Sequence, residues 1–400
     1  MGDTEAQTAT ATETATATTS VADDLTTKEP GVLVLGVHGG KFHLDDAMSC
    51  FLMSALYGAR CGRTVRIRRS TADGRDLDDC DIVMDVGMVY DHAARRYDHH
   101  QRGFAEVYDD EMTRKCGRAL KMASTGLLWR HYGPAIVRAL WPAPRAGQQH
   151  CVAAPSATDV ALVVRRVYTT LLAAIDADDN GLEAYAPDAF AGGVPPTPLY
   201  RDGTGLARRV DRLNVAWNEA LTPGLADTRF AAAVALAGAD FTAVLEGIVL
   251  SWLPARQVVA DAYARRRTYR ANGHVLVNDV GGCPYRDHLR DIERDAAHAG
   301  AAHAEPAVLY VVSWDRVRCQ WSATATEARP GSFESKLAFP PAWRGLRNDE
   351  LVAATGIPNC VFVHASGFLA CNTDRDDLLA MIDRSIEMQP ERYQLYKNVP

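Results

Sequence analysis

Three short segments of the 400-residue chain concentrate side chains that bind divalent cations. GVHGGKFHLDDA (36–47) holds His38, His43, Asp45 and Asp46, DIVMDVG (81–87) holds Asp85, and RRYDHHQRGF (95–104) holds Asp98, His99 and His100. A fourth, AIDADDNG (174–181), places Asp176 and Asp179 at i,i+3 on one helix face, with Asp178 pointing elsewhere. Asp179, at the helix exit, is the preferred ligand and Asp176 the alternative. Imidazole and carboxylate donors without cysteine favour an ion such as Mn²⁺ or Mg²⁺ over a structural zinc. The set exceeds what one ion needs. Two ions ~3.5–4 Å apart that share a carboxylate would use it, an arrangement suited to in-line attack of water on phosphorus.

The elements that must position these residues can be read from the apolar pattern. VLVLGV (32–37) followed by a helix-like stretch from Asp45 to Ala59 reads as a buried parallel strand and its crossover helix. TVRIRRS (64–70) and DIVMDV (81–86) read as further strands. LKMASTGLLWRHYG (120–133) reads as a helix stopped at Gly133-Pro134, and a long helix runs from about Asp159 to Asp179. Each cluster thus follows a strand or closes a helix on the same sheet. Open α/β sheets bind ligands beyond the carboxyl ends of their strands, so the clusters are expected to converge.

The second half reads as helices at roughly 225–250 and 252–266, strands at 275–278, 309–314, 318–323 and 360–365, and a final helix near 374–387. The fold class is α/β: an N-terminal parallel-sheet domain at 31–195 and a smaller α+β domain at 205–400, separated by the Pro- and Gly-rich stretch 186–205. WPAPRAGQQHCVAAPSAT (141–158) reads as a surface loop. Residues 1–30, rich in Thr and Ala, carry six acids against Lys28, so -5 of the formal charge of -7 lies there and the body is near neutral. Such a tail is expected to be disordered and lacks the chemistry of a mitochondrial transit peptide. The body lacks the basic surface of a non-specific DNA binder, so any nucleic-acid grip must be local. No apolar run approaches the ~20 residues of a membrane helix, and no membrane partner is expected. The nine scattered cysteines, without a CxxC pair, read as reduced thiols of an intracellular protein.

DHHQRGF, with HGGKFHLDDA, DVGMVYD, IDADDNG, FPPAWRGLR (339–347) and FVHASGFLA (362–370), resembles the melanocyte proliferating gene exonuclease family, a branch of the DHH phosphoesterase superfamily. The resemblance runs from about Gly31 to the C-terminus. It implies a DHH-type catalytic domain that acts on single-stranded RNA from the 3′ end, in mitochondria and nucleus. It also implies a two-ion centre in which His38, His43 and Asp45 serve the first ion, Asp85 bridges, His99 and Asp179 complete the second, and His100 faces the phosphate. His43 stands where the superfamily usually has an aspartate. In the substrate domain, Arg344, Arg347, His364, Ser366 and Gly367 resemble phosphate-contacting segments.

Plainer readings stand beside these. Asp46 starts a helix, Asp98 orients His99 or His100, and the arginines of RTVRIRRS decorate a solvated edge strand. His92, His131 and His150 read as surface histidines. Two other functions fit the residues: hydrolysis of a small phosphate such as a short oligonucleotide or pyrophosphate, or non-catalytic RNA binding at a vestigial site. The retained ligand set speaks against the last.

Overall fold

The computed structural model describes residues 27–59, 62–109, 119–152, 154–184, 202–298 and 306–396. The acidic tail, up to residue 26, lies outside them, as do positions 185–201, most of the Pro- and Gly-rich stretch. The chain divides into two compact units, 1–143 with 153–249, and 144–152 with 250–400. Expectation and structure differ here. Residues 205–249 pack with the first unit, and the division falls at Val249/Leu250 within one helical run rather than at 186–205. The physical reason is the small-residue face of the helix Leu225–Gly247: Gly238 lies so close to the Phe51 ring that a Cβ would collide with it.

In the first unit, β1 (Val32–Val37) pairs in parallel with β2 (Thr64–Arg69) and with β3 (Ile82–Met84), and β3 pairs in parallel with β5 (Arg96–Tyr97). The two-residue β4 (Tyr90–Asp91) closes the edge antiparallel, giving the order β2-β1-β3-β5-β4. Leu33, Val34, Leu35 and Val37 of β1 are all buried, as a strand covered on both faces requires. The helix Leu44–Ser54 follows β1 and packs against Leu225–Gly247 and the helix Ser124–Ala139. That third helix passes through Pro134 instead of stopping there, because Ile136 and Val137 beyond it are buried and hold its last turn in the core. The run Ala157–Asp179 is helical throughout, with one wider turn at Tyr168–Leu172.

Leu225–Tyr269 is also long and apolar enough to cross a bilayer, contrary to the expectation from short apolar runs. Phe230, Ala233, Ala237, Phe241 and Leu245 of this helix are buried within the first unit, which is how a core helix behaves.

In the second unit, β6 (Val275–Asn278) runs parallel to β7 (Tyr310–Asp315). β8 (Gln320–Ala325), β10 (Leu369–Asn372) and β9 (Cys360–Val363) complete an antiparallel sheet in the order β6-β7-β8-β10-β9. The helix Arg375–Glu387 buries Leu378, Leu379, Met381 and Ile382 in the main core, while Val259, Ala262 and Leu289 of other helices pack with Leu276, Val308 and Val311 in a second. The seven described cysteines are unpaired.

Candidate metal centre

Parallel pairing delivers the candidate ligands. β1, β3 and β5 are neighbours running the same way, so the residues that follow them leave the sheet at one edge: His38 after β1, Asp85 after β3, Asp98 and His99 after β5. The Asp85 N–H donates to Tyr97 O (3.0 Å), which ties the two exits together. Asp85 itself adopts φ = +56°, a left-handed conformation uncommon outside glycine that turns its carboxylate into the centre. The helix 124–139 is brought to the same place by Ser124 Oγ, which donates to Tyr97 O (2.8 Å).

Two groups of donors result, and Asp85 belongs to both. Asp85, His99, His100 and Asp179 have ligand atoms within 4.8 Å of one another, as do His38, His43 and Asp85. Asp85 Oδ2 lies 3.4 Å from His38 Nε2, and its Oδ1 lies 3.3 Å from His99 Nε2, which is 2.8 Å from Asp179 Oδ2. Asp85 Oδ1 and His99 Nε2 are buried, close to each other and to Asp179 but without a well-aligned hydrogen bond, a state that a cation between them would relieve. Oxygen and imidazole donors crowded round such orphaned atoms fit a divalent ion.

The charges are consistent with this. Burial opposes ionisation of Asp85, but His38 and His99 outweigh it and hold the carboxyl down at about 2. Burial likewise disfavours the imidazolium of His38, yet Asp46 and Asp85 push it up to about 11. His99 rises to about 11 against burial through Asp179 and Asp85. The directions of these shifts mark a cluster that favours positive charge, which a bound cation would supply.

The structure separates the remaining acids by role. Asp46 reaches His38 Nε2 (2.5 Å) and accepts the His43 N–H (3.2 Å), so this helix-start residue also steers His38. Asp45 is fully buried and accepts the N–H groups of Ser124 (3.1 Å) and Thr125 (2.8 Å). Asp176 accepts those of Ala123 (3.0 Å) and Gly126 (3.1 Å) and the Tyr168 hydroxyl (2.7 Å). These two carboxylates satisfy four otherwise unpartnered donors at the start of helix 124–139. Neither lies in the two donor groups. Burial, then the nearby Asp179 and Asp85 carboxylates, raise Asp45 well above the usual range, and burial pushes Asp176 up to about 7. Asp98 binds His100 Nδ1 (2.7 Å) and accepts the Met88 N–H (2.5 Å), leaving the exposed His100 ring with its Nε2 free of that bond.

The substrate-type residues lie in the second unit. Gly345 N–H donates to Val363 O (2.9 Å) and Val363 N–H to Leu346 O (3.2 Å), laying 344–347 beside β9. Arg344 Nε donates to Phe339 O (2.9 Å) and presses on Gly367, whose φ of +78° and lack of space exclude a side chain. Arg347 lies over the Phe362 ring at 5.0 Å, and His364 Nδ1 is 2.9 Å from Ser366 Oγ in an exposed turn. Arg344 therefore holds that turn, while Arg347, His364 and Ser366 are open to solvent.

The family model MYG1_exonuc, described as "Uncharacterised protein family (UPF0160)", matches residues 34–386. The chain belongs to the MYG1 exonuclease family. It is similar to the "MYG1 protein C27H6.8" of Caenorhabditis elegans, 33% identical over 90% of this chain and 96% of the relative. Against the "MYG1 exonuclease" of Homo sapiens it is 33% identical over 87% of this chain and 84% of the relative. The "MYG1 protein" of Dictyostelium discoideum is 31% identical over 90% and 98%.

No local sequence pattern marks Asn214. Its amide accepts from Phe42 N and donates to Phe42 O (both 2.9 Å), clamping the loop between His38 and His43 from 172 positions away. Arg69 was expected on a solvated edge. Its side chain is nearly buried, with the guanidinium 5.6 Å from the Phe42 ring and 5.1 Å from that of Phe230, and it donates to Gly40 O. Arg66 and Arg68 do sit on the edge strand, paired with Glu29 and Asp79. His92 is exposed, as expected, and His131 is half-buried; their rings stack at 3.7 Å and reach the hydroxyls of Tyr97 and Tyr90.

Proposed function

We propose that this chain is a divalent-metal-dependent phosphodiesterase that removes nucleotides from the 3′ end of single-stranded RNA. The observation that carries the reading is the double reach of Asp85, with one carboxylate oxygen toward His38 and the other toward His99. In this reading His38, His43 and Asp85 hold one ion, and Asp85, His99 and Asp179 the other, with Asp45 behind them as a buried anchor. Mn²⁺ or Mg²⁺ bound there would supply Lewis acidity toward water and the phosphoryl oxygens. The chain's own residues do the rest. His100, whose proton Asp98 stabilises, sits at the exposed rim where it can hydrogen-bond a phosphate oxygen or protonate a departing one. Arg347, His364 and Ser366 would contact the polymer, and Arg344 and Gly367 would shape the turn that presents them. The family resemblance supports action in mitochondria and the nucleus, which imaging of the tagged chain would check. The decisive assay gives purified protein with Mn²⁺ a 5′-labelled RNA, its DNA counterpart and pyrophosphate in parallel. Stepwise shortening of RNA from its 3′ end is expected. Pyrophosphate turnover without RNA shortening would replace the reading with small-phosphate hydrolysis.

A further inference from the structure

A cavity of about 190 Å³ opens beside the metal centre in the first unit. One candidate ligand from each donor group, His43 and Asp179, forms part of its wall, so whatever fills it lies next to the reacting phosphorus. The rest of its polar wall is Lys41, Asp45, Asp178, Arg208 and Asp211. Lys41 is fixed in this wall from two sides. The Asn214 amide clamps the adjoining Phe42 backbone, and Lys41 Nζ pairs with Asp211 Oδ1 at 2.7 Å. Asn214 also donates to Asp211 O (3.2 Å), so the helix Leu206–Asp211 and the His38–His43 loop form one frame.

Asp179 is turned to His99, Asp211 is matched by Lys41, and Asp45 is taken up by the N–H groups of Ser124 and Thr125. That leaves Arg208, exposed and in no ion pair among the described residues, and Asp178, also exposed. A guanidinium and a carboxylate facing one small cavity match a sugar–phosphate unit, with the anion for the first and hydroxyl donors for the second.

We infer that this cavity is a subsite for the sugar–phosphate next to the scissile bond, and that Arg208 binds its phosphate. The inference rests on the phosphodiesterase reading above and adds that a second phosphate on the substrate strengthens its binding.

The test compares a dinucleoside monophosphate, whose only phosphate is the scissile one, with a trinucleotide that carries one more, both with Mn²⁺. Wild type is expected to prefer the trinucleotide in kcat/KM, and Arg208→Ala to lower that preference about tenfold, mostly through KM. Arg208→Lys should recover part of the loss, since a point charge replaces a two-pronged donor. Binding of a fluorescent single-stranded RNA, followed by anisotropy in an Asp85→Asn background, should weaken about tenfold when Arg208→Ala is added. Arg212→Ala, whose guanidinium is engaged by Gly203 O, serves as the charge control and should leave that affinity unchanged. No preference in wild type, no effect of Arg208→Ala, or an equal effect of Arg212→Ala would overturn the subsite. Wild type inactive on every phosphodiester would overturn the phosphodiesterase reading instead, and the anisotropy series would still decide on Arg208.

Discussion

In the first unit three of the candidate ligands are steered by neighbours: Asp46 holds His38, Asp98 holds His100, and Asp85 is fixed by its own backbone bond to Tyr97. In the second unit Arg347, His364 and Ser366 stand in solvent, and only Arg344 and Gly367 are packed. Cation binding requires donors placed to within tenths of an ångström before the ion arrives, whereas a polymer phosphate can be met by side chains that adjust. The difference teaches that substitutions in the two regions should fail differently, the first through turnover and the second through affinity.

The largest expected effect is at Asp85. Asp85→Asn should reduce turnover by more than about a thousandfold, because a neutral amide cannot hold two cations. Its melting temperature should stay near wild type, since asparagine tolerates the φ of +56° found there. A collapse in melting temperature, measured by circular dichroism, would recast Asp85 as scaffold and erase the contrast between the units. Next is His100→Asn, expected to lower kcat about a hundredfold with metal content intact. Unchanged kcat would remove His100 from the chemistry.

Replacing Arg344 and Arg347 together with Ala is expected to raise KM for single-stranded RNA about tenfold while the metals remain bound, one charged hydrogen bond's worth in each reading. Gel-based kinetics would show it. A fall in kcat with constant KM would mean that the two regions do not divide the work as described.

The last expected effect is on stability and does not touch RNA turnover or affinity. Burial pushes the Asp176 carboxyl up to about 7 in the folded protein, against an ordinary value of 3.8. The stability cost of burying this acid therefore grows as pH rises from about 4 to 7 and is complete above it, on the order of 4 kcal/mol. Asp176→Asn should abolish that dependence, so the variant should gain on wild type in thermal unfolding between pH 5 and pH 8. An equal gap at both pH values would mean that Asp176 is ionised in the folded state.

The strands that carry His38, Asp85 and His99 were legible because a buried parallel strand is a continuous apolar run and its exit is where ligands collect. The sequence ranks Asp179 over Asp176 only as a preference, since both share the helix, and their different surroundings come from residues 50 or more positions away. Asp45 as a cap for helix 124–139 and Asn214 as a clamp on Phe42 are contacts across 79 and 172 positions, and no local pattern encodes them. The domain limit was misplaced for a related reason. Loop-forming residues at 186–205 are a strong local signal, while the packing of Gly238 on Phe51 is a tertiary one.

The central claim is that Asp85 is shared between two ions, and counting the ions tests it most directly. Purified protein equilibrated with Mn²⁺ and freed of excess would be analysed by elemental mass spectrometry alongside Asp85→Asn. Two ions per chain in wild type and a loss of both in the variant is the expected result. One ion in wild type, or two in both proteins, would contradict it.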